Sequence, residues 1–304
     1  MEILETPKLN LDREKDYKIV RDDQGVFEDF IEEVGIEERN LDFFFNNIKD
    51  VKIFLDQNKY LFRKVDPGNY CAALNSIFST QDLYKVGIMH EIFHMASTYV
   101  TSDRIYCGFT QEDENLKSIG TGLTEGYTAI LDERYFPDYD PRKRRMVGTT
   151  YPILKLVVSH LETAVGNLEM EDLYFRADLK TLYEYLSMIM GEKRTYHFIR
   201  NIDRIYYYCD GQERLNFDKT CKAYHECMLY LGELQLKLVY RTYRRGNMEE
   251  ELYQKNLERI DKLLSSELCF GKSKKFKVKN KYQTTEEEKK LIFTRSTRHY
   301  TTLN

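Results

Sequence analysis

The five residues His90-Glu91-Ile92-Phe93-His94 constrain this chain more than any other segment, because their chemistry emerges only if they share one helix. Residues four apart on an α-helix sit about 40° from each other around its axis, so His90 and His94 then point the same way. Two imidazoles one turn apart can grip a single zinc ion through ring nitrogens. Glu91 lies beside that face, close enough to hold a water on the metal without becoming a ligand. The flanking residues favour such a helix. Asp82 fits an N-cap, and the pattern predicts a helix over 83–97, with Leu83, Val86, Phe93 and Ala96 as its apolar stripe. No proline interrupts it, and Gly87, which costs about 1 kcal/mol against alanine, points to a close-packed neighbour.

Composition narrows the setting. A chain of 304 residues can build one large or two modest domains around a substantial core. Its 42% hydrophobic and 32% charged content is ordinary for a globular protein, and its formal charge of −4 argues against nucleic-acid or membrane binding by the chain as a whole. No apolar run reaches the roughly 18 residues of a membrane-spanning helix, and MEILETPKLNLDREKDYK carries no hydrophobic segment of signal-peptide type. A cytoplasmic location is expected. Cys71, Cys107, Cys209, Cys221, Cys227 and Cys269 are scattered and, without a secretion signal, read as reduced thiols. Cys221, His225 and Cys227 form a weak second metal candidate, since the first two lie one helical turn apart. They lack an evident fourth ligand, and Tyr224, Met228, Leu229 and Leu231 around them read as helix core.

The organisation expected is α+β and predominantly helical: a small mixed sheet packed on the motif helix, then a helical C-terminal half. Residues 1–80 form the part with the sheet. A helix is expected around Phe27–Glu37, β-like runs at Val51–Leu55 and Tyr60–Lys64, and a second strand pair at Asn69–Ala73 and Ser76–Phe78. Residues 81–150 hold the motif helix and its partner. Residues 151–268 read as helical, over Tyr151–Val165, Glu169–Met190, Tyr196–Tyr208 and Asp218–Tyr243. Residues 269–304 are a basic tail: 270–304 hold eight Lys and two Arg against three Glu. That tail reads first as a solvated edge or loose segment, and second as a docking site for an acidic partner or nucleic acid.

Two histidines and a water leave a zinc ion one protein ligand short. Asp103, nine residues after His94, is one candidate. Glu125 in Gly122-Leu123-Thr124-Glu125-Gly126-Tyr127-Thr128 is the better one, on a second helix running to about Arg134, with Glu125, Thr128, Ala129 and Asp132 on one face. The positive end of the helix dipole favours an acidic group in the first turn.

These residues resemble the gluzincins, zinc peptidases in which HExxH is followed on a second helix by a glutamate ligand. Leu123-Thr124-Glu125-Gly126-Tyr127-Thr128 is similar to the L-N-E-G-F-A segment of aminopeptidase N-type enzymes, with Thr124 in place of asparagine. The resemblance covers residues 83–135. Thirty residues separate His94 from Glu125, a longer interval than in aminopeptidases or thermolysin and closer to that of the ImmA/IrrE repressor-cleaving proteases.

The resemblance implies a zincin-like fold, zinc as cofactor, and His90, His94 and Glu125 as its ligands. It implies Glu91 as the general base that activates a zinc-bound water, then passes the proton to the leaving amine. The developing oxyanion requires a donor, for which Tyr151, Tyr106, His160 and His197 are candidates. Asp132 is the candidate carboxylate for orienting a zinc-binding histidine. A peptide or protein substrate is expected to add to the edge strand in Tyr70–Phe78. The alternative is a catalytically degenerate zincin scaffold that serves as a regulatory or interaction protein.

Overall fold

The computed structural model describes residues 17–20, 24–35, 41–56, 68–80, 84–102, 104–112, 118–136, 151–209 and 216–267. Tyr60–Lys64, Asp82, Asp103 and the basic tail lie outside them. The fold is α+β and mostly helical, with a small mixed sheet. Among the described residues no helix is long and apolar enough to cross a membrane.

The chain divides into two compact units, each assembled from separate stretches. Unit 1 takes Met1–Ser118, Tyr127–Thr150 and Glu171–Asp178; unit 2 takes Ile119–Gly126, Tyr151–Met170 and Leu179–Asn304.

Unit 1 is built on the sheet. Strand β1 (Tyr17–Val20) precedes helices α1 (Gln24–Val34) and α2 (Asp42–Asn47), followed by β2 (Lys52–Asp56), β3 (Gly68–Cys71) and β4 (Ser76–Thr80). The spatial order is β1-β2-β4-β3, with β2 and β4 parallel and the two outer strands antiparallel to their neighbours. Ile53, Phe54 and Leu55 are all buried, so β2 is covered on both faces. Phe54 and Phe78, directly opposite on β2 and β4, stack with ring centroids 5.0 Å apart. The motif helix α3 (Tyr84–Ala96) lies against β3 and β4.

An aromatic knot anchors α3. Phe93 meets Phe30 of α1 edge-on at 5.1 Å, and Phe30 stacks on Phe44 of α2 at 5.0 Å. All three are fully buried, and truncating such a ring typically costs about 3–5 kcal/mol. The end of α3 is tied down by polar contacts. The Asn47 amide donates to the carbonyls of Met95 and Thr98 at 2.8 Å each, and the Thr98 hydroxyl donates to the His94 carbonyl at 2.7 Å. These bonds satisfy carbonyls that a helix end leaves without partners. Strands β5 (Thr98–Val100) and β6 (Ile105–Cys107) then fold back as a hairpin, with Tyr99 and Tyr106 stacked at 4.5 Å. Strands β7 (Gln111–Glu112) and β8 (Ser118–Ile119) lead to α4 (Thr121–Tyr135).

Unit 2 is helical. Its helices are α5 (Pro152–Val165), the first turn of α6 (Asn167–Phe175), α7 (Leu179–Met190), α8 (Glu192–Cys209), α9 (Phe217–Arg244) and α10 (Glu250–Glu267). Pro152 opens α5 at a position where its missing N–H has no intrahelical role. Asn216 caps α9 by accepting from the Lys219 N–H at 3.1 Å. Helix α10 runs back against α9 through Leu236, Tyr243, Tyr253, Leu257, Ile260 and Leu264.

One expectation needs correction. Glu169–Met190 is two helices, because Ala177 takes a left-handed φ of 50° and the Asp178 N–H bonds back to the Leu173 carbonyl at 2.9 Å. That closes α6 with a left-handed cap made by a residue other than glycine.

Candidate metal centre

The histidine pair sits where the aromatic knot and the tied end of α3 hold it. His90 and His94 have ring centroids 4.9 Å apart and an interplanar angle of 72°. His94 is buried and His90 is partly exposed. Glu91, between them in sequence, is only 6% exposed. A carboxylate this deeply placed costs free energy that an isolated surface glutamate would avoid.

Asp132 reaches His90 from the fourth turn of α4: its Oδ2 lies 2.8 Å from His90 Nδ1. An ionised carboxylate can only accept, so His90 Nδ1 donates to Asp132; in the neutral ring Nε2 is then the acceptor nitrogen. His94 Nδ1 faces the Cys107 sulfur at 3.7 Å, and that thiol also lies 3.6 Å from the His94 carbonyl. The hairpin β5–β6 brings this cysteine back beside the helix end. Tyr174 of α6 is fully buried behind the pair, its hydroxyl 2.7 Å from Thr128 Oγ1 on α4. Burial pushes the Tyr174 phenol well above its usual range, while neighbouring His94 opposes the shift. Tyr70, on β3, is also raised by burial first, then by the thiols of Cys107 and Cys71. Both phenols therefore stay protonated, and Tyr70 donates to Asn75 Oδ1 at 3.0 Å.

Glu125 completes the group. One ligand atom from each of His90, His94 and Glu125 falls within 4.8 Å of the others. Donors on a tetrahedral ion with bonds of about 2.0–2.1 Å stand about 3.3 Å apart, so only a modest closing brings all three onto one metal. The chemistry fits a borderline cation: two imidazoles and one carboxylate, with the Asp132 carboxylate placed to orient the His90 ring. This cluster could hold one metal ion. It is the only group of three such side chains gathered this closely among the described residues. Cys221, His225 and Cys227 are not brought together in this way. Cys227 is instead buried against the Phe198 carbonyl, and burial raises its thiol pKa.

The other expected residues lie as follows. Tyr151 precedes α5 in unit 2 with φ 75°, is 3% exposed, and packs its ring 5.5 Å from that of Tyr206. Tyr106 is stacked on Tyr99, His160 is on α5 and His197 on α8. Sequence reasoning did not anticipate Cys107 beside His94, or the Tyr174–Thr128 pair. Neither leaves a signal in the sequence, because each depends on a turn or helix packing that brings distant residues together. No protein-family model matches the chain, and no characterised protein or solved structure is found similar to it.

Proposed function

We propose that this chain is a zinc-dependent peptidase of the gluzincin type, acting on a peptide or protein substrate. The observation that carries the proposal is the convergence of His90, His94 and Glu125 from α3 and α4, with the Glu91 carboxylate buried alongside. The sheet adds support. Strand β3 ends the sheet among the described residues, runs antiparallel to β4, and lies against α3. An extended substrate could pair with its outer edge and bring a peptide carbonyl to the histidine pair.

Each residue then has a task. His90, His94 and Glu125 hold the ion; Asp132 fixes the His90 ring and its tautomer. Bound zinc would supply Lewis acidity, polarising the scissile carbonyl and making water a nucleophile near neutral pH. Glu91 accepts the proton released during attack and delivers it to the departing amine, so no proton is left over at the end of the cycle. Tyr151 is our candidate donor to the developing oxyanion.

Glu91→Gln tests the mechanism. The variant should keep its metal and its fold while hydrolysis of a peptide library falls by about 10²–10⁴-fold, because a proton acceptor is lost and a ligand is not. Undiminished cleavage by purified Glu91→Gln would remove the peptidase reading. Elemental analysis of protein purified without added metal should give one zinc per chain.

A further inference from the structure

We propose that Asp203 is the positioning residue for Glu125: from within α8 its carboxylate holds the two backbone N–H groups that open α4, and so fixes the turn that presents the third ligand. The inference rests on the metal-centre reading above and extends it to a residue far from the site in sequence.

The N-cap position of α4 has no side chain to offer. Gly120 occupies the place where Ser, Thr, Asp or Asn usually supplies a side-chain acceptor, and it has φ 87°. The first N–H groups of a helix have no intrahelical partners. Here Asp203 Oδ2 accepts from Gly120 N–H at 3.1 Å, and Oδ1 accepts from Gly122 N–H at 3.0 Å. One carboxylate thus grips two backbone donors that flank Thr121, and its negative charge sits at the positive end of the α4 dipole. Arg200 Nη1 lies 3.6 Å away and offsets part of the burial cost. Asp203 is 1% exposed.

Two close approaches show how tightly this turn is seated. A Cβ on Gly122 would lie 2.5 Å from the Ile202 carbonyl oxygen, so the backbones of α4 and α8 touch with no room for a methyl group. One turn later, a Cβ on Gly126 would lie 2.8 Å from Val158 Cγ2 of α5. At 100° per residue, Glu125 points about 80° round from the centre of this glycine face. Its backbone is therefore clamped by α5 and α8 while its carboxylate projects clear of the clamp. A ligand on an unfixed backbone binds metal less tightly, because ordering that backbone costs conformational entropy at the moment of binding.

The test uses the full chain, stripped of metal, and Co²⁺ as the probe, because its absorption bands report the number and geometry of ligands. Wild type and Asp203→Asn are titrated under conditions where circular dichroism shows both folded. The expected result is a Co²⁺ Kd raised at least tenfold in Asp203→Asn, with bands altered in the direction seen for Glu125→Ala. A Kd within twofold of wild type, with unchanged bands, would overturn the proposal. Glu233→Gln serves as control: it removes a buried carboxylate of α9 that pairs with Arg194 and Lys237 in the same unit. It should lower Tm without changing the Kd; equal weakening there would also overturn the proposal, since general destabilisation would explain both. Should Asp203→Asn not fold, Gly122→Ala decides in the same way, its methyl group lifting α4 from Ile202. Wild type that binds no Co²⁺ would instead sink the metal centre itself, a result distinct from an unchanged variant.

Discussion

Replacing Asp203 by asparagine removes a titration as well as a charge, and the sign of its effect on stability follows from the surroundings. Burial raises the carboxyl from 3.8 to about 6, against the opposing pull of the Gly120 and Gly122 N–H groups and of Arg200. In the unfolded chain it titrates near 3.9, the ordinary aspartate value, to a rough approximation. A folded pKa above the unfolded one means that folding takes up a proton. The stabilisation from this group is thus complete below about pH 4 and is lost as pH rises through about 6. One pKa unit is worth about 1.36 kcal/mol, so a rise from 3.8 to about 6 amounts to about 3 kcal/mol. The assay is urea denaturation of wild type and Asp203→Asn in EDTA, from about pH 4 to about pH 7.5. Groups common to both proteins cancel in the difference. Wild-type stability minus variant stability should fall by about 2.4 kcal/mol across that range, mostly between about pH 4.5 and 6.5. A difference that stays flat, or that climbs with pH, would refute the reasoning, because the hydrogen bonds and Arg200 would then outweigh burial.

Two further outcomes are expected. Asp132→Asn should weaken zinc binding by about 10–100-fold in calorimetric titration, since His90 loses the acceptor at 2.8 Å that sets its tautomer; equal affinity would show that the contact does not orient the ring. Tyr174→Phe should lower stability by about 1 kcal/mol through loss of the bond to Thr128, and a variant that melts at or above the wild-type temperature would contradict that assignment.

The parts of the site that were legible in the sequence are those a single helix generates. His90, Glu91 and His94 needed only the 3.6-residue repeat, as did the common face of Glu125 and Asp132. Strands β2, β3 and β4 were legible from short β-branched and aromatic runs. What escaped notice depends on chain reversal. Cys107 meets His94 because a three-residue hairpin strand returns to the helix end, and nothing local announces that return. Asp203 lay within an expected helix, Tyr196–Tyr208, but its role comes from donors 81 and 83 residues away. The break after α6 falls at Arg176-Ala177-Asp178, with neither glycine nor proline to mark it. Helix α10 falls within the stretch read as helical, 151–268, but outside the four segments given bounds there. Tyr253, Leu257, Ile260 and Leu264 carry its helical spacing openly, and a highly charged background concealed it.

The glycines of α4 also bear on how the protein is made. Gly122 and Gly126 each weaken the helix by about 1 kcal/mol relative to alanine, so this segment has little reason to coil on its own. Its cap arrives late, since Asp203 follows Gly122 by 81 residues. At about 5–20 residues per second, a ribosome needs roughly 4–16 s to cover that distance. During that interval the nascent chain carries both histidines but no seated glutamate. For the metal centre proposed above, loading of an ion would then wait until α8 has been synthesised, and a chain interrupted before it would hold a metal only loosely.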